Sequence, residues 1–186
     1  MPLLPREPDI YPADLLDPAK NTFAAGTRWV AFYTLARREK DLARRLGARR
    51  IPFYSPLVKR RLKSPGGRTR ESFVPLFPGY VFARVDDEQR RMALATNTVA
   101  RWLPVLDEGQ LLDDLRSIKR LIDADVPLTP EARLEAGHAV RVRSGPFLGL
   151  EGMVIERRGR QRLLVSVRLL SQGVSIELED VCLENR

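Results

Sequence analysis

Residues 77 to 82 read Phe-Pro-Gly-Tyr-Val-Phe, and the first half of the chain is organised around them. After Pro78 the run Tyr80 to Val85, rich in aromatic and β-branched residues at Tyr80, Val81, Phe82 and Val85, reads as a strand. On its N-terminal side, residues 53–62 and 69–76 read as two strands around Ser64-Pro65-Gly66-Gly67, a turn signal that predicts a hairpin. Lys59, Arg60, Arg61, Lys63, Arg68 and Arg70 flank its tip. Further upstream, Trp29 to Leu35 has strand composition, and downstream Ala100 to Leu106 does too.

Two helical segments lie between these strands and a third follows them. Arg37 to Leu46 places Leu35, Leu42 and Leu46 on one stripe with Ala36 and Ala43 beside it, opposite Arg37, Arg38, Lys40, Arg44 and Arg45; Gly47 is the expected stop. Asp86 to Ala95 predicts a second helix capped by Asp86 or Asp87. Leu111, Leu115, Ile118 and Ile122 keep helical spacing over 111–122, with Asp113 and Asp114 early and Lys119 and Arg120 late to suit the helix dipole. Helices interleaved with mainly antiparallel strands predict an α+β domain over 28–123.

The flanks differ in character. Residues 1–27 hold five prolines and no sustained periodicity, which predicts a flexible extension; residues 124–136, with Pro127 and Pro130, read as a linker. After it, residues 137–186 hold only short strand-like runs, 139–142, 152–155, 163–167 and 174–178, separated by glycine-containing turns. Such spacing predicts a small β-barrel of five strands.

Charge is concentrated. The chain of 186 residues carries a net +8, yet residues 28–70 alone hold fourteen basic and two acidic side chains. That density suits a polyanion, because neutralising phosphates releases counterions whatever the base sequence, so DNA or RNA backbone is an expected partner. Catalysis finds little support. His138, the single histidine, sits at an expected strand start without an orienting acid or nucleophile, and carboxylate pairs such as Asp86-Asp87 and Asp113-Asp114 fit capping roles. Neither a phosphate-binding glycine loop nor a metal-ligand cluster is legible, so no cofactor is expected. The single cysteine, Cys182, excludes an intramolecular disulfide and suits a reducing compartment, as a half-buried strand residue. No apolar run reaches the roughly 20 residues of a membrane span. The proline- and acid-rich N-terminus does not read as a signal peptide, so a cytoplasmic monomer is expected.

The Phe77 to Phe82 motif behind a basic hairpin resembles the central strand of the N-terminal domain of the NusG family of transcription elongation factors. Gly137 to Gly152, followed by Leu163-Leu-Val-Ser-Val167 and Val174-Ser-Ile-Glu-Leu178, resembles a KOW motif. The resemblance covers residues 28–186 and implies an N-terminal antiparallel sheet with helices, then an SH3-like barrel. It also implies transcription elongation or antitermination by binding, with RNA polymerase clamp helices held by the first domain. Rho or a small-subunit ribosomal protein would meet the second.

Carried over by position, the motif makes Tyr80 and Phe82 the polymerase anchors, supported by Phe77 and Trp29. Arg60, Arg61, Lys63, Arg68 and Arg70 are expected at nucleic-acid backbone, with Arg44 and Arg45 farther off. Phe147, Leu150, Leu169 and Leu170 fall on the loops where family members meet their second partner. The His-Thr-Thr-Thr stretch of RfaH-type relatives would fall near Gln89 to Met92 and is missing. With its extension and altered loops the chain resembles a specialised paralogue. A ribosome- or RNA-associated KOW protein is the alternative, although it has no need of the Phe77 to Phe82 strand.

Overall fold

The computed structural model describes residues 7–20, 23–63, 69–132, 137–157, 159–177 and 183–185, with side chains except at 20, 61–63, 69–70 and 183–185. The Ser64 to Gly67 turn, Arg68, Leu178 and Cys182 lie outside the described residues. Contacts divide the chain into two compact units, Met1–Glu108 and Gly109–Arg186.

The first unit runs β1 (Ile10–Tyr11), β2 (Arg28–Thr34), α1 (Glu39–Ala48), β3 (Phe53–Tyr54), β4 (Leu57–Lys63), β5 (Thr69–Pro75), β6 (Tyr80–Val85), α2 (Asp87–Leu94) and β7 (Val99–Pro104). Helix α3 (Glu108–Asp123) follows, and all but its first residue belongs to the second unit. Strands β1-β3-β6-β2-β7 form an antiparallel sheet in that order, and β4 and β5 form a separate hairpin. Successive side chains of a strand point to opposite faces. One face therefore collects Val30 and Phe32 of β2 with Val81, Ala83 and Val85 of β6, and these pack with Leu42, Ala43 and Leu46 of α1 and Ala93 of α2. Removing each large apolar side chain of this cluster from water contributes about 1.5 to 3 kcal/mol.

Local signals place the helices with small shifts. Asp86 closes a capping box, its carboxylate accepting the Gln89 N–H at 2.7 Å while the Gln89 side chain accepts the Asp86 N–H at 3.1 Å. α1 starts at Glu39 and passes through Gly47; the left-handed residue after its end is Arg50, φ 56°. Leu35, expected on its apolar stripe, precedes the helix and is 48% exposed. The expected strand 53–62 is broken at Ser55-Pro56, where the Ser55 N–H turns to the Asp9 carbonyl at 2.7 Å.

That bond belongs to an N-terminal segment that is docked, not free. Ile10 and Tyr11 register with Tyr54 and Phe53 at the sheet edge, Leu15 and Leu16 are buried, and Glu7 pairs with Arg44 at 3.2 Å. A two-residue strand among prolines leaves no periodicity to read, which is why the segment looks flexible in sequence.

In the second unit β8 (Thr129–Glu131), β9 (His138–Val142), β10 (Glu151–Arg157), β11 (Arg160–Val167), β12 (Gln172–Glu177) and β13 (Leu183–Asn185) form an antiparallel sheet in the order β13-β9-β10-β11-β12-β8. The sixth strand, β8, comes from the stretch expected as linker. As an edge strand it tolerates Pro130, whose missing N–H is needed by no outer neighbour. Polar side chains hold it. Arg162, nearly buried, donates to Ser175 Oγ and Thr129 Oγ1, each at 2.8 Å, and to Glu177 at 3.0 Å, while Ser175 Oγ donates to Glu131 at 2.7 Å. The α+β arrangement followed by a strand-rich unit is the fold class the sequence implied.

If the N-terminal segment is integral to the first unit, Leu15→Ala should destabilise it by about 2 kcal/mol or more through the lost burial and residual cavity. Urea unfolding of the full chain measures this; an unchanged midpoint would return residues 1–27 to a free tail.

Candidate functional site

The face of the five-stranded sheet opposite the α1–α2 core carries Trp29, Ala31 and Tyr33 of β2 against Arg84, Phe82 and Tyr80 of β6. Its far end is open. Tyr33 lies directly between Tyr80 on β6 and Arg101 on β7, so three strands present one cross-strand row. The tyrosine rings meet edge to face at 5.1 Å, and the Arg101 guanidinium stands over the Tyr33 ring at 5.0 Å. Both tyrosines are half-buried, Arg101 is exposed, and Leu35 follows Tyr33 two residues on.

The turn that delivers Tyr80 is held on both sides of Gly79. Its carbonyl accepts the Thr34 N–H at 2.8 Å, and its N–H donates to Glu39 Oε1 at 2.6 Å, a carboxylate at the first residue of α1 that is only 6% exposed. Gly79 has φ 85°, and a Cβ there would stand 3.1 Å from the Tyr33 ring. Glycine is therefore favoured by its conformation, and the close ring adds to that preference.

Three of the four expected anchors are inside. Trp29 and Phe82 are 0% exposed and Phe77 is buried. Phe77 packs edge-on against Phe82 at 6.5 Å, and Phe23 against Trp29 at 6.4 Å. A side chain with no accessible surface cannot touch a partner, so these residues support the sheet and Tyr80 alone of the four reaches the surface. Sequence reading missed Tyr33 and Leu35. The signal for Tyr33 was alternation in β2, which puts residues 29, 31 and 33 on one side, but nothing in that period says where burial stops, and Leu35 lies beyond the strand's end.

The basic segment is partly self-neutralised. Asp41 receives Arg45 at 3.1 Å, Arg38 at 3.4 Å and Arg44 at 3.9 Å, and Arg44 also meets Glu7. The Arg45 hydrogen bond is the main cause that holds the Asp41 carboxyl below its ordinary range; desolvation opposes it, and the charges of Arg45, Arg44 and Arg38 each add a smaller lowering effect. Arg44 and Arg45 are thus engaged in exposed surface pairs of the kind that contribute little to stability and exchange readily. Arg60 is exposed on β4, and neighbouring Lys59 pairs with Glu71 at 3.0 Å. The side chains of Arg61, Lys63 and Arg70 are outside the described residues.

Known proteins resemble this chain. The family model described as transcription termination factor nusG matches residues 27–117. The transcription termination/antitermination protein NusG of Escherichia coli K12 is 30% identical over 127 residues, covering 61% of this chain and 67% of that protein. The chain belongs to the NusG family. The protein of the same name from Vibrio cholerae is 33% identical over 124 residues, and the one from Pseudomonas aeruginosa 28% over 125. The chain matches 66% of the Vibrio cholerae protein's length. These low identities fit a specialised paralogue within the NusG family. The solved structure titled "Crystal Structure of MjSpt4:Spt5 complex conformation B" covers 85% of this chain and 97% of its own at 18% identity, with a TM-score of 0.29.

In the strand-rich unit of this NusG-family chain, the expected partner residues Phe147, Leu150 and Leu170 are buried and Leu169 is half-buried. The exposed apolar residue of that loop is Leu148, 60% accessible, which the sequence reading passed over. The same loops are tied to α3. Arg120 donates to the Leu148 carbonyl at 3.0 Å, and Asp114 accepts the Arg168 N–H at 2.9 Å, with Gln110 bonded to Arg168. His138 is exposed at the first residue of β9, as expected. Among the described residues no group of His, Cys, Asp and Glu is placed to hold a metal ion, and no helix is long and apolar enough to cross a membrane.

Asp114 is 8% exposed, and burial raises its carboxyl pKa despite the opposing hydrogen bonds from Arg168 and Gln110. A raised carboxyl pKa means the folded unit binds the proton more tightly than the unfolded chain, so this residue's contribution falls as pH climbs past its ordinary 3.8 and through the raised value. Asp114→Asn retains a hydrogen-bond acceptor without the charge. At pH 7 it should melt no lower than the wild type, and the difference should shrink as pH approaches about 4. Thermal unfolding across that range checks the sign; a large loss at pH 7 would show that the charge itself holds Arg168.

Proposed function

We propose that this chain is a transcription termination/antitermination factor that acts by binding, its first unit docking on the RNA polymerase clamp helices. The observation that carries this reading is the open row of Tyr80, Tyr33 and Arg101, with exposed Leu35 two residues after Tyr33 in the chain, inside the stretch that matches the NusG model. The names of the relatives support the process. The surface supports the mode, because half-exposed aromatics on a rigid sheet, flanked by arginine and leucine, suit an apolar coiled-coil tip. Buried Trp29, Phe77 and Phe82 would act beneath it as the stiff support of the anchors.

The second unit would recruit a further partner, Rho or a small-subunit ribosomal protein, with Leu148 and Leu169 as the accessible apolar residues of its loops. The basic segment would lie along DNA or RNA backbone near the polymerase cleft. Exposed Arg60 and its neighbours Arg61, Lys63, Arg68 and Arg70 would face the phosphates, and Arg44 and Arg45 would exchange acidic partners for phosphate.

Tyr80→Ala should weaken binding of the full chain to core RNA polymerase by about 2 kcal/mol, with the far-ultraviolet circular dichroism of the wild type retained. A folded variant that binds like the wild type would remove the anchor. Nucleic-acid binding has its own readout: replacing Arg60, Arg61 and Lys63 by glutamine should flatten the plot of log affinity against log salt on duplex DNA by roughly 0.9 for each phosphate no longer neutralised. An unaltered slope would leave these charges with solubility alone.

A further inference from the structure

We infer that Glu39 is a positioning residue for the docking surface, holding the Phe77 to Tyr80 turn so that Tyr80 stands against Tyr33. The inference rests on the polymerase-docking reading above. Four observations converge on it. Glu39 is an acidic side chain almost wholly withdrawn from water, the one charged residue of its helix that is buried. Its Oε1 accepts the Gly79 N–H at 2.6 Å, and a bond to an ionised acceptor is about twice as strong as a neutral one. Gly79 is the residue immediately before the anchor, and its carbonyl is already committed to Thr34 of β2. Finally, the Tyr33 ring lies close over Gly79, 3.1 Å from where a Cβ would stand, so a small rotation of this peptide displaces both rings.

A buried charge is costly unless its partner offsets the desolvation, and here the partner is the one peptide that aims Tyr80. The Tyr80 N–H closes the same turn on the Phe77 carbonyl at 3.1 Å, so the turn is fastened to its own start, to β2 and to α1. Without the carboxylate the Gly79 N–H is left without that acceptor, and the turn is free to rotate while the sheet beneath it stays paired through Val81 to Val85. Glu39 itself is nearly inaccessible and need not touch the partner.

The test compares Glu39→Ala, Glu39→Gln, Glu39→Asp and Tyr80→Ala in the full chain against core RNA polymerase, with aromatic NMR shifts of Tyr33 and Tyr80 recorded for each. Glu39→Ala should weaken binding about tenfold and move both ring signals while Phe32 in the core keeps its shift. Glu39→Gln, which retains an acceptor of the same reach, should bind within about twofold of the wild type. Should the alanine variant not fold, Glu39→Asp keeps the charge but shortens the reach, and it should weaken binding and shift the rings as well. Wild-type affinity in folded Glu39→Ala or Glu39→Asp, alongside weakened Tyr80→Ala, would overturn the positioning role and leave the docking surface standing. Wild-type affinity in Tyr80→Ala would instead remove the docking reading itself.

Discussion

The antiparallel pairing of β2 with β6, from Arg28 opposite Val85 to Tyr33 opposite Tyr80, is the constraint on which the first unit depends. Because side chains alternate, this register assigns Val30, Phe32, Val81, Ala83 and Val85 to the helix-covered core and Trp29, Ala31, Phe82, Tyr33 and Tyr80 to the opposite face. A slip of one residue would exchange the two sets, burying tyrosine hydroxyls and exposing the core. Apolar burial on one face thereby fixes which residues can meet a partner on the other. The flanking strands β3 and β7 inherit that register, Phe53 meeting Ala83 and Arg101 meeting Tyr33.

Polar groups at least partly withdrawn from water then do what apolar packing cannot, which is to specify position. Arg84 donates to Glu108 at 2.7 Å and to Thr27, and Glu108 accepts the Trp29 N–H at 2.9 Å, tying the start of β2 to the residue that opens α3. In the second unit the Arg162, Ser175 and Glu131 network locks β8 onto β12 in one register. Hydrogen bonds of this kind have direction, and leaving any member unpaired costs about 1 to 3 kcal/mol, so each network selects a single arrangement. Glu39 belongs with them, fixing the turn before Tyr80 through the Gly79 N–H.

The distribution of charge has a similar logic. A segment of fourteen bases and two acids would repel itself if all its side chains stood free. Asp41 gathers three arginines around one carboxylate, and Glu7, from the segment docked at the sheet edge, takes up Arg44 again. These pairs are exposed and exchangeable, so the surface remains basic to an approaching polyanion while the helix beneath stays folded.

Much of this was legible in the sequence because its signals are local. Aromatic and β-branched composition announced β2, helical spacing announced α3, and a capping aspartate at 86 or 87 announced the start of α2; the two family motifs announced the α+β and strand-rich units. Tertiary structure alone decided the rest. It turned the proline-rich N-terminus into an edge strand and part of the expected linker into β8, because pairing a two- or three-residue strand depends on an edge supplied by distant chain. It buried Trp29, Phe77, Phe82, Phe147 and Leu150 and left Tyr33, Leu35 and Leu148 accessible. Alternation tells which side of a strand a residue faces. Whether that side is covered depends on what packs against it, and no local pattern carries that information.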